Sequence, residues 1–455
     1  MSLLATSASA STLALDGMTL VVGLGKTGLS AVRALLSLGA EVAVTDTRPN
    51  PPGLAELQHD FPTAPCYLGG FPAAIFAGAQ RLLVSPGVPL QTPAVAAAAA
   101  RGVPLWGDIE LFARLAQAPV AAITGSNGKS TVTTLLGLMA EQASVRVAVG
   151  GNLGTPTLDL LARPAVELYV LELSSFQLAS TYSLNARVAT VLNISPDHLD
   201  WHPGLEAYRQ AKQRIFRGDG WMVLNADDPA VVAMAESDRR ILRFTLAAPG
   251  PGDFGLRRHD GELWLARGGD CWLRTGELQL SGDHNLANAL AALCLGHALG
   301  LAREPMLAAL RTFTGLPHRT QLILEHKGVR WYDDSKGTNV GATLAAVNGL
   351  PGRLVLIAGG DGKGQDFNPL GAALAPKVHD LVLIGRDAPA IAAAVDRRVA
   401  VHQADSMARA VAVAAQLAEP GDSVLLSPAC ASFDMFSNYE ERGRVFAAEV
   451  RRQLG

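Results

Sequence analysis

The chain has 455 residues, 49% of them apolar and 17% charged, enough for about three buried cores at roughly 150 residues per domain. Its formal net charge is −3 and no basic stripe is visible, which argues against nucleic acid as a partner. No apolar run reaches the ~18–20 uninterrupted residues of a spanning helix, so no membrane insertion is expected.

The opening MSLLATSASASTLALDG is small and apolar but lacks a basic n-region, and it reads as a frayed start rather than a signal peptide. From there strand and helix alternate. MTLVVGLGKTGLSAVRALLSLGAEVAVTDTRP gives an apolar strand, a glycine turn, an amphipathic helix and a second strand, a βαβ unit. Gly23-Leu24-Gly25-Lys26-Thr27-Gly28 follows the first strand, and Asp46 ends the second, 18 residues after Gly28. That is the setting of a dinucleotide fingerprint. Three readings stand: an NAD-linked oxidoreductase, a site for another diphosphate such as a UDP-sugar, or glycines that only permit close packing. A helix N-terminus favours any anion, so the motif does not choose among them. AQRLLVSPGVP repeats the theme, and TPAVAAAAARG is a helix closed by glycine.

A second alternating block opens at APVAAITGSNGKSTVTTLLGLMAEQ. The usual phosphate loop places four residues between its first glycine and the Gly-Lys pair. Here only Ser126 and Asn127 separate Gly125 from Gly128-Lys129. Strand, turn and helix start are nonetheless in place. Backbone N–H groups can cradle phosphate, Lys129 can reach terminal phosphates, and Ser130 or Thr131 can hold Mg²⁺. ELYVLELSSFQL ends a strand at Glu172, and RVATVLNISPDHLD brings Asp197 and His198 to a third strand end. A hydroxyl, a carboxylate and an imidazole at three strand ends suit Mg²⁺ or Mn²⁺ bound to phosphates. In GLEAYRQAKQRIF, helical spacing puts Leu205, Tyr208, Lys212, Ile215 and Phe216 on one face. A lysine on a buried stripe should have a lowered pKa, unless it snorkels to the surface. The turn-rich RFTLAAPGPGDFGLRRHDGELWLARGGD reads as a β-hairpin.

The last block alternates again, with strands RLVLIAGG, DLVLIGR and DSVLLSPA. LPHRTQ offers His318 and Arg319, WYDDSKGTN clusters Asp333, Asp334 and Lys336, and GGDGKG puts Lys363 in a glycine turn. LLSPACASFDMFSNYEERG follows a strand with small residues and an exposed aromatic. Together these furnish cations and hydroxyls for a dicarboxylate or for phosphates. Cys66, Cys271, Cys294 and Cys430 lie far apart without CxxC spacing, and read as buried free thiols in a reducing cytosol, hence a cytoplasmic protein.

Taken together, GLGKTG, GDIELF, ITGSNGKST, GGNLGTP, LELSSFQL, HLD, YRQAKQRI, SGDHNLAN, GLPHR, DDSKGTN, GGDGKG and SPACAS resemble the Mur ligases over essentially the whole chain. The pairing of LELSSFQL with SPACAS resembles the branch of that family that adds D-glutamate. The resemblance implies three α/β domains: a Rossmann-like UDP-substrate domain (1–107), a P-loop-type ATP-binding domain (108–315) and a Rossmann-like amino-acid-binding domain (316–455). It implies an ATP-dependent ligation of D-glutamate to UDP-N-acetylmuramoyl-L-alanine through an acyl phosphate, by a monomer in the cytoplasm. A sister ligase for another amino acid, or a folylpolyglutamate-type ligase, shares the ATP loop and is the alternative.

Residue by residue, the resemblance gives the loop Gly125, Ser126, Asn127, Gly128, Lys129, Ser130 and Thr131 to ATP, with Asn285, Asn288, Arg319 and Asp334. Lys26, Thr27, Asp46, Thr47, Arg48 and Gly87 would hold UDP. Thr338, Lys363, Ser432 and Tyr439 would receive D-glutamate, and Asn152 would lie near the reacting substrate. Ser130 and Glu172 would bind one Mg²⁺ (or Mn²⁺). His198 would bind a second with Lys212, as a carbamate formed from CO₂. Three positions depart from the family pattern: Gly337 where alanine is usual, Phe433 where leucine is, and Tyr439 where phenylalanine is.

Overall fold

The computed structural model describes residue 13 and residues 15–199, 201–280 and 282–455. The opening stretch read as a frayed start lies outside the described residues up to residue 12 and at residue 14. So do Asp200 of HLD and Ser281 of SGDHNLAN.

The expected α/β class holds, in three sheets. The first is wholly parallel, in the order Cys66–Leu68, Val42–Asp46, Thr19–Val22, Arg81–Val84 and Leu105–Trp106. The chain builds outward from Thr19–Val22 on one side and then crosses to the other. The reversal leaves a crevice at the carboxyl ends of the strands, where such sheets bind ligands. Thr19–Val22 and Arg81–Val84 are buried at every residue, and apart from the leading Thr19 and Arg81 they are apolar, as expected where helices cover both faces.

The middle sheet has nine strands, in the order Asp270–Arg274, Glu262–Arg267, Phe254–His259, Ile241–Phe244, Trp221–Asn225, Val188–Val191, Val120–Thr124, Leu168–Glu172 and Val147–Gly151. The expected hairpin is there: Phe254–His259 and Glu262–Arg267 pair antiparallel. Asp260 and Gly261, both at positive φ (50° and 79°), make its two-residue turn, a conformation that Asp-Gly adopts readily. The third sheet runs Gln321–His326, Val329–Asp333, Ser423–Leu426, Leu354–Gly359, Val378–Ile384 and Ala400–Gln403, antiparallel only in its first pair.

One apolar cluster runs from Val21, Val32 and Leu35 through Ile109 and Phe112 to Ala122, Tyr169 and Leu171, so the first and middle sheets share packing through the helix Asp108–Leu115. Glu110 anchors that helix, accepting from the Tyr182 and Ser183 N–H groups at 2.7 and 2.9 Å and pairing with Arg114.

Two expectations need correction. Cys294 and Cys430 are buried free thiols, but Cys66 and Cys271 are only half-buried, because both sit on edge strands. On the Lys212 helix, Tyr208, Ile215 and Phe216 are buried, but Leu205 is 43% exposed, and Arg214–Phe216 is a 3₁₀ turn rather than a continuation of the α-helix.

Candidate functional site

The shortened loop is built by backbone conformation. Gly125 (φ 153°) and Gly128 (φ 83°) occupy conformations that side chains rarely adopt, and the helix Lys129–Gln142 starts immediately after. Asn193 clamps the turn: its carboxamide accepts from the Asn127 N–H at 2.8 Å and donates to the Asn127 carbonyl at 3.1 Å. Ser126 Oγ bonds both backbone groups of Ser195 and lies 2.9 Å from the Tyr208 hydroxyl. The Lys129 ammonium folds back, donating to the carbonyls of Gly125 (2.9 Å) and Ser126 (2.8 Å). Burial pushes its pKa down, while Glu172 and Asp197 oppose that.

Lys212 does not snorkel. It is 2% exposed, its Nζ donates to the Gly125 carbonyl at 2.8 Å and to Thr124 Oγ1 at 3.3 Å, and it lies 4.6 Å from the centre of the Tyr208 ring. Burial, reinforced by the neighbouring Lys129 charge, holds it well below the ordinary lysine range.

A cleft at the carboxyl ends of the middle strands brings together Lys129, Ser130, Asn152, Glu172, His198 and Lys212. Asn152 donates to Glu172 Oε1 at 2.6 Å, and Oε2 of the same carboxylate is buried without a hydrogen-bond partner among the described residues. A desolvated oxygen facing a polar cleft is a natural ligand for a hard cation, so these residues fit Mg²⁺ or Mn²⁺. No group of three or more His, Cys, Asp or Glu side chains among the described residues could hold a metal alone. A cation here would draw further oxygens from Ser130 and from phosphate. His198, at φ 55°, packs edge-on against Phe176 (4.7 Å) and sits 3.6 Å from Asp197. Burial lowers its pKa, and Asp197 opposes the shift.

The third sheet closes over the same cleft. Thr338, Lys363, Ser432 and Tyr439 all line it, as does Phe433, which is 67% exposed. Arg319 donates to Ser130 Oγ at 2.9 Å, and Asn339 donates to Asp197 Oδ2 at 3.2 Å. Lys336 Nζ lies 3.7 Å above the Tyr439 ring, and burial together with Arg319 and Lys129 pushes its pKa down to about 8.

A second cleft adjoins the first and is lined by Asn127, Gly128, Thr131, Asn285, Asn288, Arg319 and Asp334. Gly125 lines neither cleft; it serves them through its turn and its carbonyl. Asp334 accepts from Ser427 Oγ (2.7 Å) and from the Thr320 N–H (3.1 Å), yet burial pushes its carboxyl up to about 7. A third cleft opens at the crevice of the first sheet, lined by Lys26, Thr27, Asp46, Thr47, Arg48 and Gly87. Arg48 forks onto both oxygens of Asp46, at 2.9 and 2.7 Å, and the Leu24 N–H adds a bond at 2.7 Å. Burial would raise the Asp46 pKa, but these bonds outweigh it and bring the carboxyl to about 2. Asn152 lines this cleft as well as the first, and joins them.

Lys336 was expected only as one cation of a cluster for a dicarboxylate or phosphates, and three further residues of the site carried no assignment from sequence: Asn339, Tyr208 and Asn193. Tyr208 had a local signal, four residues before Lys212 on the same face. The others are brought in by tertiary contact.

Three family models match the chain: "Mur ligase MurD-like, N-terminal domain" over residues 17–107, "Mur ligase middle domain" over 123–296, and "Mur ligase, glutamate ligase domain" over 318–430. The UDP-N-acetylmuramoylalanine--D-glutamate ligase of Nitrosococcus oceani is 56% identical, covering 96% of this chain and 97% of its own. The protein of the same name from Pseudomonas aeruginosa is 53% identical over 97% of this chain and 99% of its own. Among solved structures, the UDP-N-acetylmuramate-alanine ligase of Thermotoga maritima superposes with a TM-score of 0.60 at 19% identity, over 96% of this chain and all of that one, a likeness of fold.

Proposed function

The chain belongs to the Mur ligase family, and on that premise we propose that it joins D-glutamate to UDP-N-acetylmuramoyl-L-alanine, using ATP, in peptidoglycan precursor synthesis. The observation that carries this reading is that the cleft holding Lys129, Glu172 and Lys212 shares Asn152 with the cleft of the first sheet and Asn127, Gly128 and Arg319 with the second cleft. The names of the relatives fit this branch and not a sister or folylpolyglutamate-type ligase. The first glycine loop then serves a UDP-linked substrate rather than NAD.

We assign residues 1–107 to the UDP substrate, 108–315 to ATP and 316–455 to the amino acid. The family-model ranges and the placement of the clefts support these limits. The helix start at Lys26 and Thr27 would face the diphosphate, with Asp46, Thr47, Arg48 and Gly87 around the nucleoside. Asn285, Asn288, Arg319 and Asp334 would hold the adenosine end of ATP and its phosphates. Thr338, Lys363, Ser432 and Tyr439 would take D-glutamate, whose two carboxylates suit a pocket furnished with a lysine and hydroxyls.

A free carboxylate is a poor acylating agent, so it must first gain a leaving group. One carboxylate oxygen of the muramoyl-alanine attacks the γ-phosphorus of ATP, the bond to the bridging oxygen breaks, and ADP departs. The neutral amine of D-glutamate then adds to the acyl carbon, its nitrogen gives up one proton, and the tetrahedral intermediate expels phosphate to leave the amide. Lys129 would turn from its two carbonyls to the phosphates, and Arg319 would bring a second cation from across the cleft. Asn152 holds Glu172 on one side and faces the substrate on the other. Mg²⁺ or Mn²⁺ would be held by Ser130 with Glu172, and a second ion by His198 with Lys212, supplying charge screening between anions that must approach.

A plain ammonium at Lys212 would repel a cation. The depressed pKa favours the neutral amine, whose lone pair can add to the carbon of CO₂ with loss of one proton, leaving a carbamate. We also place the enzyme in the cytoplasm as a monomer. One chain lines all three clefts, and among the described residues no helix is long and apolar enough to cross a membrane. Phosphate release from ATP with UDP-N-acetylmuramoyl-L-alanine, screened against D- and L-amino acids, tests the reading. Release with an amino acid other than D-glutamate, or none at all, would overturn it.

A further inference from the structure

Arg442 is a 1% exposed arginine with no carboxylate within salt-bridge distance among the described residues. Burying an unpaired guanidinium is expensive unless its donors are fully used. Four bonds are made, three of them to backbone carbonyls and one to a hydroxyl. Nε donates to Ser335 Oγ (3.0 Å), Nη2 to the carbonyls of Ser335 (2.9 Å) and Cys430 (3.0 Å), and Nη1 to the carbonyl of Ala431 (3.2 Å). Ser335 Oγ in turn donates to the Tyr439 carbonyl at 2.8 Å, closing the ring onto the first turn of the helix that carries Arg442.

The three tethered segments are those that furnish the amino-acid pocket. Ser335 lies between Asp334 and Lys336 and three residues before Thr338. Ala431 precedes Ser432, and Tyr439 begins the helix. None of these segments is a strand or helix interior there, and the only regular ties among the described residues are the Ala429 N–H to Gly337 carbonyl bond (2.9 Å) and the single bridge of Ala431 to Asp361. Gly443, next along the helix, admits the close approach this needs: a Cβ there would lie 2.2 Å from His318 Nδ1.

We propose that Arg442 is a positioning residue for amino-acid binding, its planar fork holding the Ser335, Ala431 and Tyr439 segments at the spacing the incoming amino acid requires. The inference rests on the assignment of that pocket to D-glutamate. Lysine cannot reproduce it, since a compact ammonium lacks the five divergent donors of guanidinium.

The test is steady-state kinetics of Arg442→Lys and Arg442→Ala in the full chain, with each substrate varied and Tm measured. Losing a buried charge-assisted network should raise KM for D-glutamate about tenfold or more, with KM for the UDP substrate unchanged within about twofold. Guanidinium chloride at sub-denaturing concentration, compared with equal NaCl, should partly restore D-glutamate affinity in Arg442→Ala. Should these variants fail to fold, Ser335→Ala removes the Nε partner and the bond to the Tyr439 carbonyl, keeps the three carbonyl bonds of the guanidinium, and should move the same KM in the same direction. Equal weakening of all substrates, or a fall in Tm and active fraction with every KM unchanged and no rescue, would make Arg442 merely structural and overturn the proposal. Lys363→Ala and Ser432→Ala separate the two failures. If they leave KM for D-glutamate unchanged, the pocket assignment has failed; if they raise it while Arg442→Lys does not, only the present inference has.

Discussion

Lys129 and Lys212 donate to the same acceptor, the carbonyl oxygen of Gly125, at 2.9 and 2.8 Å. Two ammonium groups converging on one neutral oxygen repel each other, and the deeper of the two yields its proton more readily. The glycine turn thus gives two chemically identical side chains different acidities, which suits the proposed division into a cation for phosphate and a nucleophilic amine. Lys129→Ala should leave the fold intact and lower ligation roughly 10²-fold or more, as for other lost electrostatic stabilisers. Turnover within about threefold of the parent would contradict the phosphate role.

For Lys212, activity should fall when CO₂ is stripped from the protein and recover with bicarbonate. Lys212→Ala should be nearly inactive, with partial recovery on adding a short carboxylic acid. Lys212→Met should be inactive yet raise Tm at neutral pH. A lysine whose folded pKa lies below its unfolded value opposes folding at every pH below the unfolded value, and most below the folded one. An apolar side chain removes that penalty. Mass spectrometry without acid treatment reads the modification directly; full activity of an unmodified lysine in CO₂-free buffer would rule it out.

Asp334 gives a pH signature. Its carboxyl has a folded pKa of about 7 against roughly 3.9 unfolded. Between those values the folded chain holds a proton that the unfolded chain has released. Stability from this group therefore falls as pH rises through that window and stays low above it. Urea unfolding of the ligand-free protein at pH 5 and pH 8 should show this component, and Asp334→Asn should flatten it.

Arg48→Ala should weaken the UDP substrate by roughly tenfold, the scale of one charge-assisted bond, and leave ATP affinity unaltered. Calorimetry with each ligand separately decides it. Weakened ATP with unaltered UDP-substrate binding would exchange the two clefts.

At Tyr439 the ring rather than the hydroxyl should matter, because Lys336 sits 3.7 Å above its face. Tyr439→Phe should retain turnover within about threefold, since phenylalanine keeps the π-face. Tyr439→Ala should lose roughly tenfold or more, from the lost cation–π contact and the aromatic surface together.

Much of this was legible in the sequence because local pattern and chemistry coincide. Glycine turns after apolar strands announced the loops at Gly23–Gly28 and Gly125–Gly128, and a carboxylate ending an apolar run announced Glu172. Lys212 stood out because a charge interrupted a helical stripe. The stripe misled at its start: Leu205 opens the helix beyond the reach of its packing partners, and the 3₁₀ turn at Arg214–Phe216 alters the phase at its end. Contacts such as Arg319 to Ser130, 189 residues apart, leave no periodic trace. Arg442 was silent too, since an arginine in a charged amphipathic helix reads as surface until its carbonyl partners are seen.

Asn152 lines the first and third clefts, while Asn127, Gly128, Arg319 and Lys336 line the first and second. The first recess therefore shares a wall with each of the other two. For inhibitor chemistry this makes tethering geometrically sound. A fragment seated near Arg48 and another near Asp334 could be joined by a linker running past Asn152 and the first recess, so that the second contact becomes intramolecular. Such linkage can raise avidity by about 10²–10⁴ over the separate fragments when the linker matches the span. On the proposed assignment the linked compound would compete with the UDP-linked acceptor and with the phosphoryl donor, and saturating the enzyme with either one would cut it back to the weaker affinity of a single fragment.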